Sequence, residues 1–340
     1  MAKKKIAING FGRIGRLLFR QIFDNKKMEV VAINDLGDIE NLAYLLKYDS
    51  VYRQFNEDAG VVGGQLIVGD KKIKVFQEKD PAKLPWKNLK IDIAVEATGV
   101  FESFEKASAH LTAGAKKVVL TAPAKDNEKS DAKTVLLGVN EDKFEACKIT
   151  SNGSCTTNAV SPVAAIMAET VGIKKAILNT AHAYTATQGV VDSPTRGKDF
   201  RRGRAAAQNI SPSTTGAALS IIKAIPELEG KFDGVAMRIP VVSGSLADFT
   251  FLAKRKTSSE EINNILKKAA KEPRWKGILK VTEDQIVSSD VIGDSYAAII
   301  DLKFTKVVDG DLVKIFSWYD NEWGYVATLA EHLLKVAENL

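Results

Sequence analysis

A chain of 340 residues is too long for one ordinary core, so two domains are expected. Its 45% hydrophobic and 26% charged content is that of a soluble globular protein, and no run of 18 apolar residues offers a membrane span. A net charge of +6 suits anionic ligands and is also compatible with weak non-specific nucleic-acid binding, while two cysteines eight positions apart make neither a disulfide framework nor a metal-ligand cluster and fit a reducing cytoplasm.

Lys3, Lys4 and Lys5 lead only into Ile6-Ala7-Ile8, too short for the apolar core of a signal peptide. That apolar run instead reads as a strand entering Asn9-Gly10-Phe11-Gly12-Arg13-Ile14-Gly15, after which an amphipathic helix begins. Gly10, Gly12 and Gly15 fill G-x-G-x-x-G. The first supports a tight turn, the second lets backbone approach a pyrophosphate, and the third lets the helix pack on the strand. A second buried strand, Glu29 to Asn34, ends at Asp35, 20 residues beyond Gly15. A carboxylate there accepts hydrogen bonds from an adenosine ribose. It also repels a 2′-phosphate, which carries roughly −1.5 to −2 charges, so NAD is favoured over NADP. Ile91 to Ala97 and Lys117 to Thr121 read as further strands around a helix from Ser103 to Leu111. Alternating strands and helices predict a doubly wound parallel sheet, with ligands at the carboxyl ends of its strands, where Thr98, Gly99 and Thr121 fall.

Cys155 lies in Ser151-Asn152-Gly153-Ser154-Cys155-Thr156-Thr157-Asn158, a hydroxyl-rich lead into the apolar stretch Ala159 to Val171. This pattern predicts a helix start, where unpaired N–H groups and the helix dipole favour thiolate. An inert cap residue is the alternative. Pro162 would deprive that helix of one hydrogen bond and kink it. Of three histidines, His110 and His332 read as solvated helix residues. His182, near the end of a strand from Ile177 to Thr185, is the one placed to meet Cys155 and serve as base and acid. Arg196 to Arg204 holds five cations in nine residues and reads as a loop around an anionic site, a solvated basic loop or a nucleic-acid contact. Ser211 to Gly216 reads as a second helix start able to hold phosphate on backbone N–H groups. Arg238, inside the apolar strand Val235 to Pro240, calls for an anionic partner. Strands at Ser245 to Arg255, Ser295 to Phe304 and Leu312 to Tyr319, with helices at Ser258 to Lys271 and Val326 to Leu340, predict an α+β second half with a mostly antiparallel sheet.

Six segments occur together: NGFGRIGR at 9–16, SNGSCTTN at 151–158, HAYTATQ at 182–188, RRGRAAAQN at 201–209, TTGAA at 214–218 and WYDNEWGY at 318–325. Their identity and order closely resemble the phosphorylating glyceraldehyde-3-phosphate dehydrogenase family over essentially the full length. The resemblance implies a dinucleotide-binding domain over 1–153, a catalytic domain over 154–322, and a C-terminal helix 323–340 packed back on the first. It implies NAD-dependent conversion of glyceraldehyde 3-phosphate and inorganic phosphate to an acyl phosphate, with erythrose 4-phosphate or NADP as alternatives. A nucleotide-sensing or RNA-binding module is the non-enzymatic alternative; no specific nucleic acid and no membrane partner is expected. Cys155 then resembles the nucleophile and His182 its activator. Ser154, Thr156, Thr185, Arg202, Thr215, Gly216 and Arg238 resemble the residues that bind substrate phosphate and inorganic phosphate. Gly10, Gly12, Arg13, Ile14, Gly15 and Asp35 match the dinucleotide fingerprint, Lys79, Thr98 and Thr121 would line the adenosine half, and Asn321 would hold the nicotinamide carboxamide. The loop around Arg201 implies a homotetramer. The stretch Asp192 to Asp199 reads one residue longer than the family pattern, which leaves the alignment of that cofactor-facing loop open.

Overall fold

The computed structural model describes residues 3–195 and 198–340, so Arg196 of the basic run lies outside the described residues. It divides into two compact units. One holds residues up to Val135, Glu141–Gly153 and Leu329–Leu340; the other holds Leu136–Asn140 and Ser154–Thr328.

In chain order the first unit contains β1 (Lys4–Asn9), α1 (Arg13–Ile22), β2 (Met28–Asn34), α2 (Ile39–Lys47), β3 (Ala59–Val62), β4 (Gln65–Val68), β5 (Lys71–Phe76), α3 (Trp86–Leu89), β6 (Ile93–Glu96), α4 (Phe104–Ala107), α5 (Ala109–Thr112), β7 (Lys117–Leu120), β8 (Ala132–Thr134) and β9 (Ile149–Ser151). The nine strands form one sheet in the order β3-β4-β5-β2-β1-β6-β7-β9-β8. All pairings from β5 to β8 are parallel, and β3-β4-β5 is an antiparallel meander at the edge. Parallel central strands are covered on both faces, so they read as continuous apolar runs. Ile6, Ile8, Ile93, Val95, Val118 and Val119 are fully buried, each worth about 1.5–3 kcal/mol relative to exposure.

The helix expected from Ser103 to Leu111 is two short ones. Ser103 caps the first through Lys106 N–H at 3.2 Å, but the Ser108 hydroxyl donates to the Glu105 carbonyl at 2.6 Å and competes with the backbone ladder. The two histidines read as solvated are both fully buried. His110 of α5 meets Trp86 and Glu96. His332 meets the Thr150 hydroxyl at 2.7 Å and the edge of Phe144. Helical periodicity gave no sign of these partners, because each comes from a distant part of the chain.

The second unit contains α6 (Cys155–Thr170), β10 (Ile173–Ala183), β11 (Ser211–Thr214), α7 (Ala217–Ala224), β12 (Phe232–Ile239), β13 (Ser245–Ala253), α8 (Ser259–Ala269), β14 (Leu279–Thr282), β15 (Ala298–Val308) and β16 (Leu312–Tyr319). A last helix, α9 (Trp323–Glu338), follows. Seven strands make the order β11-β12-β10-β13-β16-β15-β14, antiparallel except for β10-β12 and β14-β15. Alternate residues of β10, Leu178, Thr180 and His182, face inward, while Ile177 is exposed. The helix α6 is buried nearly all round from Thr156 to Met167, as expected of a helix inside a domain. It runs as one helix with Pro162 inside it, and Ser317 of β16 donates to its Ala159 carbonyl at 2.8 Å.

Two sequence expectations differ here. Ser211 to Thr214 is not part of a helix start but an edge strand, a position that tolerates Pro212. β15 begins at Ala298, because Asp294 first folds the chain through a side-chain bond to Tyr296 N–H at 2.9 Å.

No described helix is long and apolar enough to cross a membrane.

Candidate active site

The parallel pairing of β10 with β12 sets His182 directly beside Arg238. The start of α6 supplies the third group. Ser154 is its N-cap: its hydroxyl accepts the Thr157 N–H at 3.1 Å, while the Thr157 hydroxyl accepts the Ser154 N–H at 3.0 Å. This reciprocal cap fixes the first helical residue, half-buried Cys155, with Sγ 3.3 Å from His182 Nε2.

The charges around this pair oppose one another. His182 Nδ1 lies 2.6 Å from Arg238 Nη1 and 2.7 Å from the Ala183 carbonyl. A bare Nδ1 can accept from Arg238, or a protonated Nδ1 can donate to Ala183, but not both. Burial first, and then Arg238, push the imidazole down to about 3, so it is neutral near pH 7. The thiol departs from the sequence expectation. Burial pushes it up, and Arg238 with the N–H groups of Thr156 and Cys155 works against that shift without overcoming it. Arg238 Nε is buried with no hydrogen-bond partner among the described residues.

A second cluster adjoins β12. Arg202 donates to the hydroxyls of Thr187 and Ser213, each at 3.0 Å, and Thr187 meets Thr185 at 2.9 Å. Ser213 on β11 pairs with Ala236, two residues before Arg238. The charge of Arg202 acts on both His182 and Arg238. Elsewhere the basic loop is tied by its own acids, Arg201 to Asp199 and Arg204 to Asp192, both at 2.9 Å. A cavity of about 670 Å³ is lined by Thr187, Gln188, Lys198 and Arg202. Thr215 and Gly216 lie at the start of α7, where the Thr215 hydroxyl accepts the Ala217 N–H at 3.2 Å. Thr156 is buried, with its hydroxyl 2.8 Å from that of Tyr319. Asn321 is buried and accepts from Ser245 at 2.8 Å.

Sequence reasoning passed over Tyr319. Its hydroxyl bridges Thr156 and Thr180, each at 2.8 Å, and its ring meets His182 edge-on. The available signal was the alternation of β16, which places Val313, Ile315, Ser317 and Tyr319 on the inward face. Thr187 and Ser213 carried no comparable signal.

In the first unit, the backbone around Gly10 and Gly15 leaves no room for a side chain. Gly10 has φ +94°, and a Cβ there would lie 2.6 Å from the Ala97 carbonyl carbon. A Cβ on Gly15 would lie 2.1 Å from the Gly10 oxygen, whereas one on Gly12, the N-cap of α1, would meet nothing within 4 Å. The start of α1 therefore has open space beside Gly12 and no side-chain cap, which leaves room for an anion to approach. Asp35 accepts the N–H groups of Phe11 at 2.7 Å and Gly37 at 2.8 Å, so its carboxylate is held in place. Arg13 is turned to Asp49 at 2.5 Å, leaving its backbone and that of Ile14 to the helix start. Thr98 and Thr121 both bond Glu96, Thr98 to the carboxylate and Thr121 to the backbone carbonyl at 3.1 Å. Lys79 is exposed, next to Glu78, whose N–H bonds Asn34 at 2.8 Å.

Comparison with known proteins decides the family. Residues 4–104 match the family described as glyceraldehyde 3-phosphate dehydrogenase, NAD binding domain, and residues 154–321 match its C-terminal domain. The chain belongs to the glyceraldehyde-3-phosphate dehydrogenase family. It is similar to glyceraldehyde-3-phosphate dehydrogenase of Clostridium pasteurianum, 48% identical over 98% of this chain and 99% of that one. It is also similar to glyceraldehyde-3-phosphate dehydrogenase B of Aspergillus oryzae, 46% identical over 94% of each chain. A third relative, glyceraldehyde-3-phosphate dehydrogenase 2 of Streptomyces avermitilis, is 45% identical over 99% of both. The NAD-binding match covers β1 to β6 and the glycine turn, and the C-terminal match covers Cys155, His182 and Arg238. The doubly wound sheet and the mostly antiparallel sheet are thus the two domains of a glyceraldehyde-3-phosphate dehydrogenase.

Proposed function

We propose that this chain oxidises glyceraldehyde 3-phosphate with NAD and inorganic phosphate, through a thioester on Cys155. The observation that carries the reading is the 3.3 Å approach of Cys155 Sγ to His182 Nε2 at a capped helix start. His182 carries the Cys155 proton to the aldehyde oxygen as Sγ adds to the aldehyde carbon, forming a hemithioacetal. Backbone N–H groups of the first turn of α6 steady the developing oxyanion. His182, neutral in the free protein, takes the hydroxyl proton as the carbon is oxidised. Bound NAD supplies the acceptor for the hydride that this carbon loses. Inorganic phosphate then attacks the thioester carbonyl, the C–S bond breaks, and Cys155 leaves as thiolate with an acyl phosphate as product.

Arg238 and Arg202 are read as the holders of phosphate, with Thr185 beside them. A dianion on Arg238 would satisfy the orphaned Nε and draw the guanidinium off His182 Nδ1. The imidazole would then donate Nδ1–H to the Ala183 carbonyl and become a stronger base. Ser154, Thr156, Thr215 and Gly216 are assigned to the attacking phosphate, Asn321 to the carboxamide, and Lys79, Thr98 and Thr121 to the adenosine half. Asp35 is assigned to the ribose and to the preference for NAD. The assembly is read as a homotetramer, supported by apolar side chains left in solvent, Val190, Val191 and Phe200 on the basic loop and Ile177 and Val235 on the sheet. Two free cysteines suit a cytoplasmic setting.

The test is an absorbance assay of reduced nicotinamide with glyceraldehyde 3-phosphate, with and without phosphate, before and after thiol alkylation. Phosphate-dependent turnover abolished by alkylation is expected. Sustained turnover after Cys155 is fully alkylated would overturn the reading.

A further inference from the structure

Three adjacent parallel strands of the first unit end on polar side chains at one level. Asn9 of β1 pairs in register with Asn34 of β2 and with Glu96 of β6. All three are buried, Glu96 to 1% exposure. An unpaired carboxylate at that depth is strongly disfavoured. This one is surrounded by donors. Its Oε2 accepts Asn9 Nδ2 at 2.6 Å and faces His110 Nε2 at 3.0 Å. Its Oε1 accepts the Thr98 N–H at 2.9 Å and also the Thr98 hydroxyl. Asn9 in turn accepts Asn34 Nδ2 at 2.7 Å.

The tautomer of His110 follows from its other neighbour. Trp86 Nε1 lies 3.0 Å from His110 Nδ1, and an indole nitrogen only donates. Nδ1 is therefore bare, and the ring proton sits on Nε2, aimed at Glu96. Trp86 thus makes His110 a donor to the carboxylate.

Just beyond each strand end lies a residue the dinucleotide reading uses: Gly10 next to Asn9, Asp35 next to Asn34, and Thr98 two residues after Glu96. The two loops also touch, because a Cβ on Gly10 would lie 2.6 Å from Thr98 N. The Thr98 hydroxyl, while donating to Glu96, accepts the Val100 N–H at 3.1 Å and so closes the turn in which Gly99 has φ +67°. We propose that His110, oriented by Trp86, is a positioning residue for the cofactor. By holding the buried Glu96 carboxylate it sets the Thr98–Val100 loop and the Asn9–Gly10 turn in the shape that receives the adenosine half. The proposal rests on the reading that NAD binds at the carboxyl ends of these central strands.

Calorimetric titration of NAD into the full chain tests it, with His110→Leu set against His110→Gln. The glutamine amide can still donate to Glu96 and accept from Trp86; leucine can do neither. His110→Leu should weaken NAD binding by about tenfold, the equivalent of one lost hydrogen bond to a charged group. His110→Gln should stay within about twofold of wild type, and iodoacetamide should alkylate Cys155 in both variants at the wild-type rate. Wild-type NAD affinity in His110→Leu, with only its melting temperature lowered, would overturn the proposal. If wild type itself fails to bind NAD, the functional reading falls and this proposal with it. Should His110→Leu not fold, Trp86→Phe decides by the same comparison: weakened NAD binding supports the proposal, and unchanged binding overturns it.

Discussion

His110 and His182 are both buried, yet their surroundings are opposites. His110 has a donor on one nitrogen and an acceptor opposite the other, so one tautomer satisfies both Trp86 and Glu96. His182 has a guanidinium and a carbonyl competing for Nδ1 and a thiol at Nε2, and beside it Arg238 keeps an orphaned Nε. A closed polar network holds backbone in one shape, whereas an open one has unmet bonds that a ligand can complete. Burial does not distinguish the two histidines. Whether the hydrogen-bond count closes does.

Four substitutions sharpen that contrast. Cys155→Ser should cost about 10⁴-fold or more in turnover while leaving NAD affinity intact, because it removes the nucleophile and touches nothing in the closed network. A calorimetric loss of NAD binding in this variant would join the two regions and break the comparison. Arg238→Gln comes next. Losing one charge-assisted contact to phosphate predicts about 10–100-fold in kcat/KM. It should also lift the imidazole of His182, since Arg238 is the second cause holding it low. NMR titration of His182 would show that rise, and an unmoved imidazole would contradict the opposed geometry.

Acid unfolding reads the burial of the histidines through stability and not through turnover. His182 and His332 both lie at about 3 in the folded chain, against an ordinary 6.5, each lowered chiefly by burial. The unfolded chain therefore binds protons first as pH falls. The stability these two contribute is complete above about 6.5 and is lost on the way down towards about 3, at about 1.4 kcal/mol per pH unit for each histidine. Urea melts over this range should show a shallower slope for His332→Phe than for wild type; equal slopes would contradict it. Least disruptive to stability is Gly12→Ala, whose Cβ meets nothing within 4 Å. Its melting temperature should stay near wild type while NAD affinity falls, which calorimetry on the same sample would check.

Much of this was legible in the sequence because the signals were local. The glycine turn, Asp35 at a strand end, and Ser154 before an apolar helix each state their own geometry. Arg238 betrayed itself as a charge in an apolar strand. What could not be read depends on contacts across long stretches of chain. The partners of His110 come from positions 86 and 96, and that of His332 from position 150, so two buried histidines looked like surface ones. Tyr319 needed the register of β16 against β13 before its place beside His182 became visible. The thiol was misjudged because a helix start argues for thiolate whereas burial, which pushes it up, is a tertiary property.

The central claim is that Cys155 carries the oxidised substrate as a thioester that only phosphate releases efficiently. Rapid mixing of the protein with NAD and glyceraldehyde 3-phosphate, without phosphate, followed by acid quench and intact-mass analysis, measures that directly. The account predicts a burst of one reduced nicotinamide per chain, an acyl adduct on Cys155, and resumed turnover when phosphate is added. Continued turnover without phosphate and with an unmodified Cys155 would contradict it.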